Sequence, residues 1–454
     1  GIVGGCIWDW VDQSVYDPQL AKGHIADGYT PATIKALKSA NGFDRYISGY
    51  DFQDPAYVDL GYQGNFLNNG ILTPDRRWSS KLTEVKRVYQ NATMTLNNKN
   101  LVIKNKNAFT DLADKYYVHY QVLKNGAIVE EGRVDCPSTP AGSYTTVTLP
   151  FTTAVAGDAE YHLNAALALK AATPWADLGY EVANEQFALN ARQPLPEVSA
   201  VGSLTQNGST MISYKYDGVE FVASAPKYCG YRHIENDRGR LYDNNITLSK
   251  TGSVVVDSNI ATYGSTGNNA VVYKVYPNGV VDMTVTLNNT SSDAGRVGIE
   301  MQFKAGFDNV EYVAKGPWSH YVDSQVGSYV GRYTTVVDKM IDENIHPQTF
   351  GDHQAMREVI LDNGAQTLTI QTADDVAFSL SHYNEQDWNK GDLYANRLHW
   401  YDMKRNADIY AHFDATQRGV GNNSCGGDII LDEYKAKTGV MKYTLRFTPG
   451  KKQF

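Results

Sequence analysis

The first fourteen residues read Gly-Ile-Val-Gly-Gly-Cys-Ile-Trp-Asp-Trp-Val-Asp-Gln-Ser and set one carboxylate, Asp9, between two indoles, Trp8 and Trp10. A flat indole at the end of a strand can cover the apolar face of a ring-shaped ligand while polar neighbours read its hydroxyls. On residue type alone a strand-end Trp8 is more often core, with that role as the alternative, and Trp10 is expected to pack. A carboxylate at such a place can act as a general acid or base, but between two large rings a packed, hydrogen-bonded Asp9 is the expectation. Two Asn-Glu dipeptides, Asn184-Glu185 and Asn384-Glu385, fall in β-patterned stretches and read as surface pairs.

The remaining reactive side chains give little pattern. His346, His353, His382 and His399 show no His-x-x-x-His spacing on a helix and no acidic partner motif, so satisfied core or surface histidines are expected. Cys6, Cys136, Cys229 and Cys425 stand too far apart for a Cys-x-x-Cys metal or redox motif. They read as free, buried thiols.

The elements that must position these groups change character along the chain. Residues 1–90 hold one apolar strand, Ile2 to Trp8, then a Gly- and Asp-rich stretch. A helix follows, with apolar spacing at Leu82, Val85, Val88 and Tyr89 and with Ser79 and Ser80 placed to cap it. One strand and one helix cannot bury themselves. From Asn91 the period turns to two: Tyr116–Val122, an Asn125-Gly126 turn and Ala127–Val134 make a hairpin. Further strands at 145–149, 161–169 and 180–189 suggest a sandwich, which the prolines of 191–196 close as a linker. Residues 196–454 have almost no helical periodicity; a hairpin over Val271–Tyr276 and Val280–Leu287 is one of many, and a large all-β sandwich follows.

At 454 residues the chain has room for about three domains, taking ~150 residues per domain. The net charge is −9 with 20% charged residues, which argues against a nucleic-acid partner, since phosphate binding needs clustered Lys and Arg. No stretch approaches the ~20 apolar residues that span a bilayer, so no membrane partner is expected. The first residues carry no basic segment followed by a cleavage site. Tyr outnumbers Phe, 31 to 14, as suits half-exposed β-surfaces and also sugar-binding surfaces.

Several ordered motifs then carry a resemblance. These are Gly4-Gly-Cys-Ile-Trp-Asp-Trp-Val-Asp-Gln-Ser14, Phe66-Leu-Asn-Asn-Gly70, Pro74-Asp-Arg76, Leu82-Thr-Glu-Val-Lys86, Thr173-Pro-Trp-Ala176, Tyr180-Glu-Val-Ala183 and Gly419-Val-Gly-Asn-Asn-Ser-Cys-Gly426. Together they resemble the β-galactosidases of glycoside hydrolase family 2, in order over nearly the whole chain. The resemblance implies a mainly β protein in three parts. Residues 1–90 would be the remnant of a catalytic (β/α)8 barrel, its last strand, loop and helix. Residues 91–195 would be an immunoglobulin-like β-sandwich, and 196–454 a large C-terminal β-sandwich of the galactose-mutarotase-like supersandwich type.

The chain would then be a C-terminal fragment of a retaining β-galactosidase acting on terminal β-D-galactose, with both catalytic glutamates on earlier barrel strands and the fragment inactive alone. The resemblance implies that Trp8 stacks on the galactose ring, that Asn69 contacts substrate, and that Phe66 and Asn69 give two oxygen ligands to sodium, a set incomplete without an upstream aspartate. Magnesium is implied for the full enzyme, but no ligand is transferred, because 51–63 does not align cleanly. Cys425 stands where several members place a Trp against the aglycone, so it is a substrate-side position without that platform. A galactoside substrate and a homo-oligomeric parent are expected. The alternative is a non-catalytic carbohydrate-binding or structural β-sandwich module, against which stands the isolated strand Ile2–Trp8, left with no neighbour to pair.

Overall fold

The computed structural model describes residues 4–16, 46–47, 68–201, 213–234, 246–249, 255–257, 259–264, 266–345, 347–389, 399–421 and 430–452. The protein is mainly β. Period-two sequence becomes antiparallel sheet wherever a turn can close it. Asn125 and Gly126 take φ values of 47° and 79°, as a type I′ turn requires, and they join Tyr116–Lys124 to Ala127–Asp135. Tyr161–Leu169 pairs on the other side of Tyr116–Lys124 and is followed by Glu181–Ala188, giving one four-stranded sheet. Ala92–Asn97, Asn100–Asn105 and Tyr144–Thr148 form a three-stranded sheet. Leu101, Ile103, Val118, Val122, Leu163 and Leu167 meet in one core between the two.

The larger body packs a nine-stranded antiparallel sheet on a four-stranded one. Its centre is the thirteen-residue strand Gly439–Lys451, which pairs with Val281–Asn289 on one side and Gln366–Gln371 on the other. Val222–Cys229, Arg296–Phe303, Ile409–Gln417 and Ala377–Ser381 make the smaller sheet. Met283, Val285, Ile299, Met301, Phe378, Phe413 and Leu445 fill the space between, each such side chain stabilising the fold by about 1.5–3 kcal/mol. The hairpin expected at Val271–Tyr276 and Val280–Leu287 is present as Ala270–Val275 and Val281–Asn289.

Among the described residues, strand Tyr329–Val336 lies at the edge of the nine-stranded sheet, paired with Asn309–Gly316 alone. Its outward backbone groups need partners, and the first sandwich supplies them. Gln186 Nε2 donates to Val330 O at 2.8 Å while its Oε1 accepts from Val330 N at 2.8 Å. Arg332 N donates to Gly126 O at 2.9 Å. Around this seam Arg357 grips Glu160 with two bonds of 2.8 and 2.7 Å. The linker is pinned as well, because Arg192 donates to the carbonyls of Met356 and Thr372.

The first ninety residues differ from the sequence reading. The strand expected over Ile2–Trp8 does not form across its described part, Gly4–Trp8. A parallel pairing lies farther on: Asp9 N donates to Asn69 O at 3.1 Å, Ile71 N to Asp9 O at 3.0 Å, Leu72 N to Trp10 O at 2.9 Å and Asp12 N to Leu72 O at 3.0 Å. An apolar run becomes a strand only where a second chain meets it, and here Asn69–Leu72 meets residues 9–12. The helix forms over Ser80–Val88, yet it buries no side chain and Ser79 does not cap it. Ser79 Oγ donates to Ile71 O instead. Polar contacts hold the helix: Arg87 pairs with Glu185, and Gly327 N donates to Glu84 Oε2 at 2.8 Å.

A Cβ on Gly126 would lie 2.9 Å from Arg332 N, at a backbone angle that disfavours side chains. Gly126→Ala is therefore expected to cost more than about 1 kcal/mol of stability, read as a lower urea midpoint; an unchanged midpoint would show that the turn does not carry the seam.

Candidate functional site

Trp8 is 79% exposed and Trp10 also stands open, so the packing role expected for Trp10 is not what the structure shows. A cis peptide joins Trp8 to Asp9. Asp9 is hydrogen-bonded, as expected, but not packed between the two rings, which stand open: its carboxylate accepts from Trp10 N at 2.7 Å and from the Gln13 amide. Because Asp9 N bonds Asn69 O, the chain bearing the Trp8 indole runs beside the chain bearing the Asn69 amide. Phe66 and Cys425 lie outside the described residues, as does His346.

The segment around Asn69 is clamped on both sides. Gly70 N donates to Asp12 Oδ1 at 2.7 Å, and Lys81 Nζ donates to Gly70 O. Ser14 Oγ donates to Asn68 Oδ1. Burial pushes the Asp12 carboxyl up, and the Lys81 ammonium opposes that. Gly70 is required by space: a Cβ there would sit 2.0 Å from Asp12 N. An amide oxygen at Asn69 suits a hard cation such as sodium, and this clamp fixes the backbone that would present it.

Neither Asn-Glu dipeptide is the surface pair that the sequence suggests. Asn184 and Glu185 belong to the seam: Tyr329 Oη donates to Asn184 Oδ1 at 2.9 Å and Asn184 N donates to Gln90 Oε1 at 3.0 Å, while Glu185 pairs with Arg87. Glu385 is buried, with Oε2 3.0 Å from Arg296 Nη1 and 2.9 Å from Thr349 Oγ1. Arg296, wholly buried, also lies 2.8 Å from Asp414 Oδ2. The partners lie 89 residues apart for Arg296 and Glu385, so no local motif marks them.

Beside Arg296, Cys229, Glu300 and His412 bring a thiol, a carboxylate and an imidazole within 4.8 Å of one another. Two cations already answer those donors: Lys227 Nζ is 2.9 Å from Glu300 Oε1 and Arg296 Nη1 is 3.2 Å from His412 Nδ1. The group is an ion-paired and hydrogen-bonded core. Burial keeps His412 neutral and pushes the Cys229 thiol up. Cys136 is buried too, but Cys6 is exposed, against the expectation for it. His353 stacks on Phe378, His382 pairs with Asp308 and His399 with Asp402.

Two family models match this chain. The model described as β-galactosidase small chain covers residues 201–448, and that described as β-galactosidase, domain 4, covers 101–190. The chain therefore belongs to the β-galactosidase family. Among curated relatives, the β-galactosidase of Streptococcus thermophilus is 28% identical over 95% of this chain and 43% of its own length. Those of Priestia megaterium and Photobacterium profundum are 25% and 24% identical, over 96% and 98% of this chain and 43% and 46% of their own lengths. The chain thus spans less than half of the relatives it matches.

Two outcomes follow from the site. Gly70→Ala should break the pairing of residues 9–12 with 69–72, seen as faster amide exchange at Ile71 and Leu72; retained protection would mean that Asp12 can move aside. A second concerns Asp352, which burial and the Asp414 carboxylate push up from 3.8 to about 8. Between those values the folded chain holds a proton that the unfolded chain has released, so stability should fall as pH rises from 4 to 8 and level off above. Asp352→Asn should flatten that slope in pH-dependent thermal melts, and an unaltered slope would assign it to other groups.

Proposed function

We propose that this chain is the sugar-facing and structural C-terminal part of a retaining β-galactosidase, an enzyme that hydrolyses terminal non-reducing β-D-galactose. The observation that carries the reading is the exposed Trp8 indole beside the Asn69 chain in a member of this family. An open indole offers the apolar face that a pyranose needs, and neighbouring polar groups read its hydroxyls.

Retaining hydrolysis uses two carboxyl groups ~5–5.5 Å apart. Glu185 is engaged by Arg87, and Glu385 is buried against Arg296. We read the catalytic pair as belonging to the rest of the complete enzyme. On this reading residues 1–90 close a (β/α)8 barrel, 91–195 form the immunoglobulin-like sandwich and 196–454 the large sandwich that borders the barrel mouth. Asn69, with the backbone oxygen of Phe66, would hold sodium, which supplies positive charge near the sugar when bound.

Assayed with a nitrophenyl galactoside, the complete enzyme should turn over while the 454-residue chain alone stays silent; turnover by the chain alone would end this division of labour. In the complete enzyme Trp8→Ala should weaken galactose inhibition by about 1–3 kcal/mol, the scale of aromatic stacking on other ring ligands. An unchanged inhibition constant would remove Trp8 from the site.

A further inference from the structure

We propose that the cleft between the Thr73–Lys81 segment and the large sandwich is a second saccharide site that takes a neutral pyranose; the class of ligand rests on the galactosidase reading. The cleft has a volume of about 400 Å³, within the range of ~300–1,000 Å³ usual for small-molecule sites. Arg77 and Trp78 line one wall, and Trp318, Asp342, Glu343 and Gln348 the other.

The two indoles are 43% and 37% exposed. A single open Trp on a convex surface would be ordinary, but two lining one concavity supply the apolar faces that sugar C–H surfaces seek. Trp78 is held in place, its Nε1 donating to Thr83 Oγ1 at 3.0 Å. The walls are tied together as well: Arg77 Nη1 reaches Glu343 Oε2 at 3.2 Å, and its Nε donates to Asp75 Oδ1 at 2.9 Å. Ser319 donates to Asp342, a carboxyl that burial pushes up.

These pairings decide the ligand class. Arg77 meets Asp75 and Glu343, Lys81, which also lines the cleft, donates to Gly70 O and faces the Asp12 carboxylate, and burial pushes Asp342 toward its neutral form, so the charges of the walls answer one another and favour neither an anion nor a metal ion. A neutral polyol fits, with hydroxyls that exchange bonds with guanidinium, carboxylate and amide groups. Asp12 also lines the cleft, so it opens along the same clamped segment that carries Asn69. The bound sugar is either the distal part of an oligosaccharide whose end lies at Trp8 or an independent molecule.

The experiment measures binding of lactose and of a β-galacto-oligosaccharide to the complete enzyme by saturation-transfer NMR, for wild type, Trp318→Ala, Trp78→Ala, Trp318→Phe and Trp8→Ala. With thermal melts confirming folding, each of Trp318→Ala and Trp78→Ala should weaken cleft binding by about tenfold, Trp318→Phe should largely restore it, and saturation of the Trp318 neighbourhood should persist in Trp8→Ala. Wild-type binding in the folded Trp318→Ala variant overturns the proposal. A fall in kcat/KM for the oligosaccharide but not for nitrophenyl galactoside in Trp318→Ala assigns the cleft to a long substrate, and lost binding with both rates unchanged assigns it to a separate sugar. The two readings fail separately: absence of any galactoside turnover by the complete enzyme removes the proposed function, whereas equal binding in Trp318→Ala removes only the cleft.

Discussion

An open sheet edge carries backbone donors and acceptors that water or another chain must satisfy. In this protein the exposed edge strand Tyr329–Val336 is answered by one side-chain amide, Gln186, and one turn carbonyl, Gly126. That seam sets how the two sandwiches meet. The helix Ser80–Val88 depends on the same corner, since Glu84 accepts from Gly327 N, two residues before the strand, and Arg87 pairs with Glu185 next to Gln186. Through the helix the dependence reaches Lys81, and through Lys81 the carbonyl of Gly70. The placement of Asn69 thus traces back, contact by contact, to a sheet edge in another part of the molecule.

Charge is handled differently in the two bodies. Along the seam and around the helix the ion pairs are half-buried, and the tightest, Arg357 with the buried Glu160, makes two bonds to one carboxylate, the geometry in which such a pair contributes most. Inside the large sandwich Arg296, Glu385 and Asp414 are dry; removing Arg296 there would leave two buried carboxyl groups without their cation, a far larger cost than the net gain of either pair. The interior charges specify the packing of the four-stranded sheet. The seam pairs specify orientation between bodies.

Local chemistry was legible in the sequence where cause and effect are neighbours. Asn125-Gly126 encodes its turn in two residues, and the strands on either side follow from alternation alone. Asp9 between two rings was read as hydrogen-bonded, and its carboxylate is so used. What escaped were partnerships at long range. Glu385 looked like half of a surface dipeptide because Arg296 lies far along the chain, and Glu185 because its partner is on a helix that the period-two pattern does not mention. Ser79 stands where a cap belongs, yet its hydroxyl is oriented by donating to Ile71 O and accepts from no helix N–H. The run Ile2–Trp8 is apolar enough for a strand, but apolarity does not supply the second chain that a ladder requires. Trp78 and Trp318 share a cleft across 240 positions, a juxtaposition that no spacing rule encodes.

The helix that joins the Asn69 segment to the large sandwich buries no side chain. Its polar attachment is made of a guanidinium, a carboxylate, an ammonium and the groups they meet, beside a close approach of Gly327 to the Thr83 backbone. Contacts of that kind lie well inside the screening length of about 8 Å at physiological salt, so added electrolyte weakens them only in part, and they lack the heat-capacity signature of apolar burial. The junction therefore adds little to the heat capacity of unfolding, whereas the apolar cores of the sandwiches on either side supply most of it.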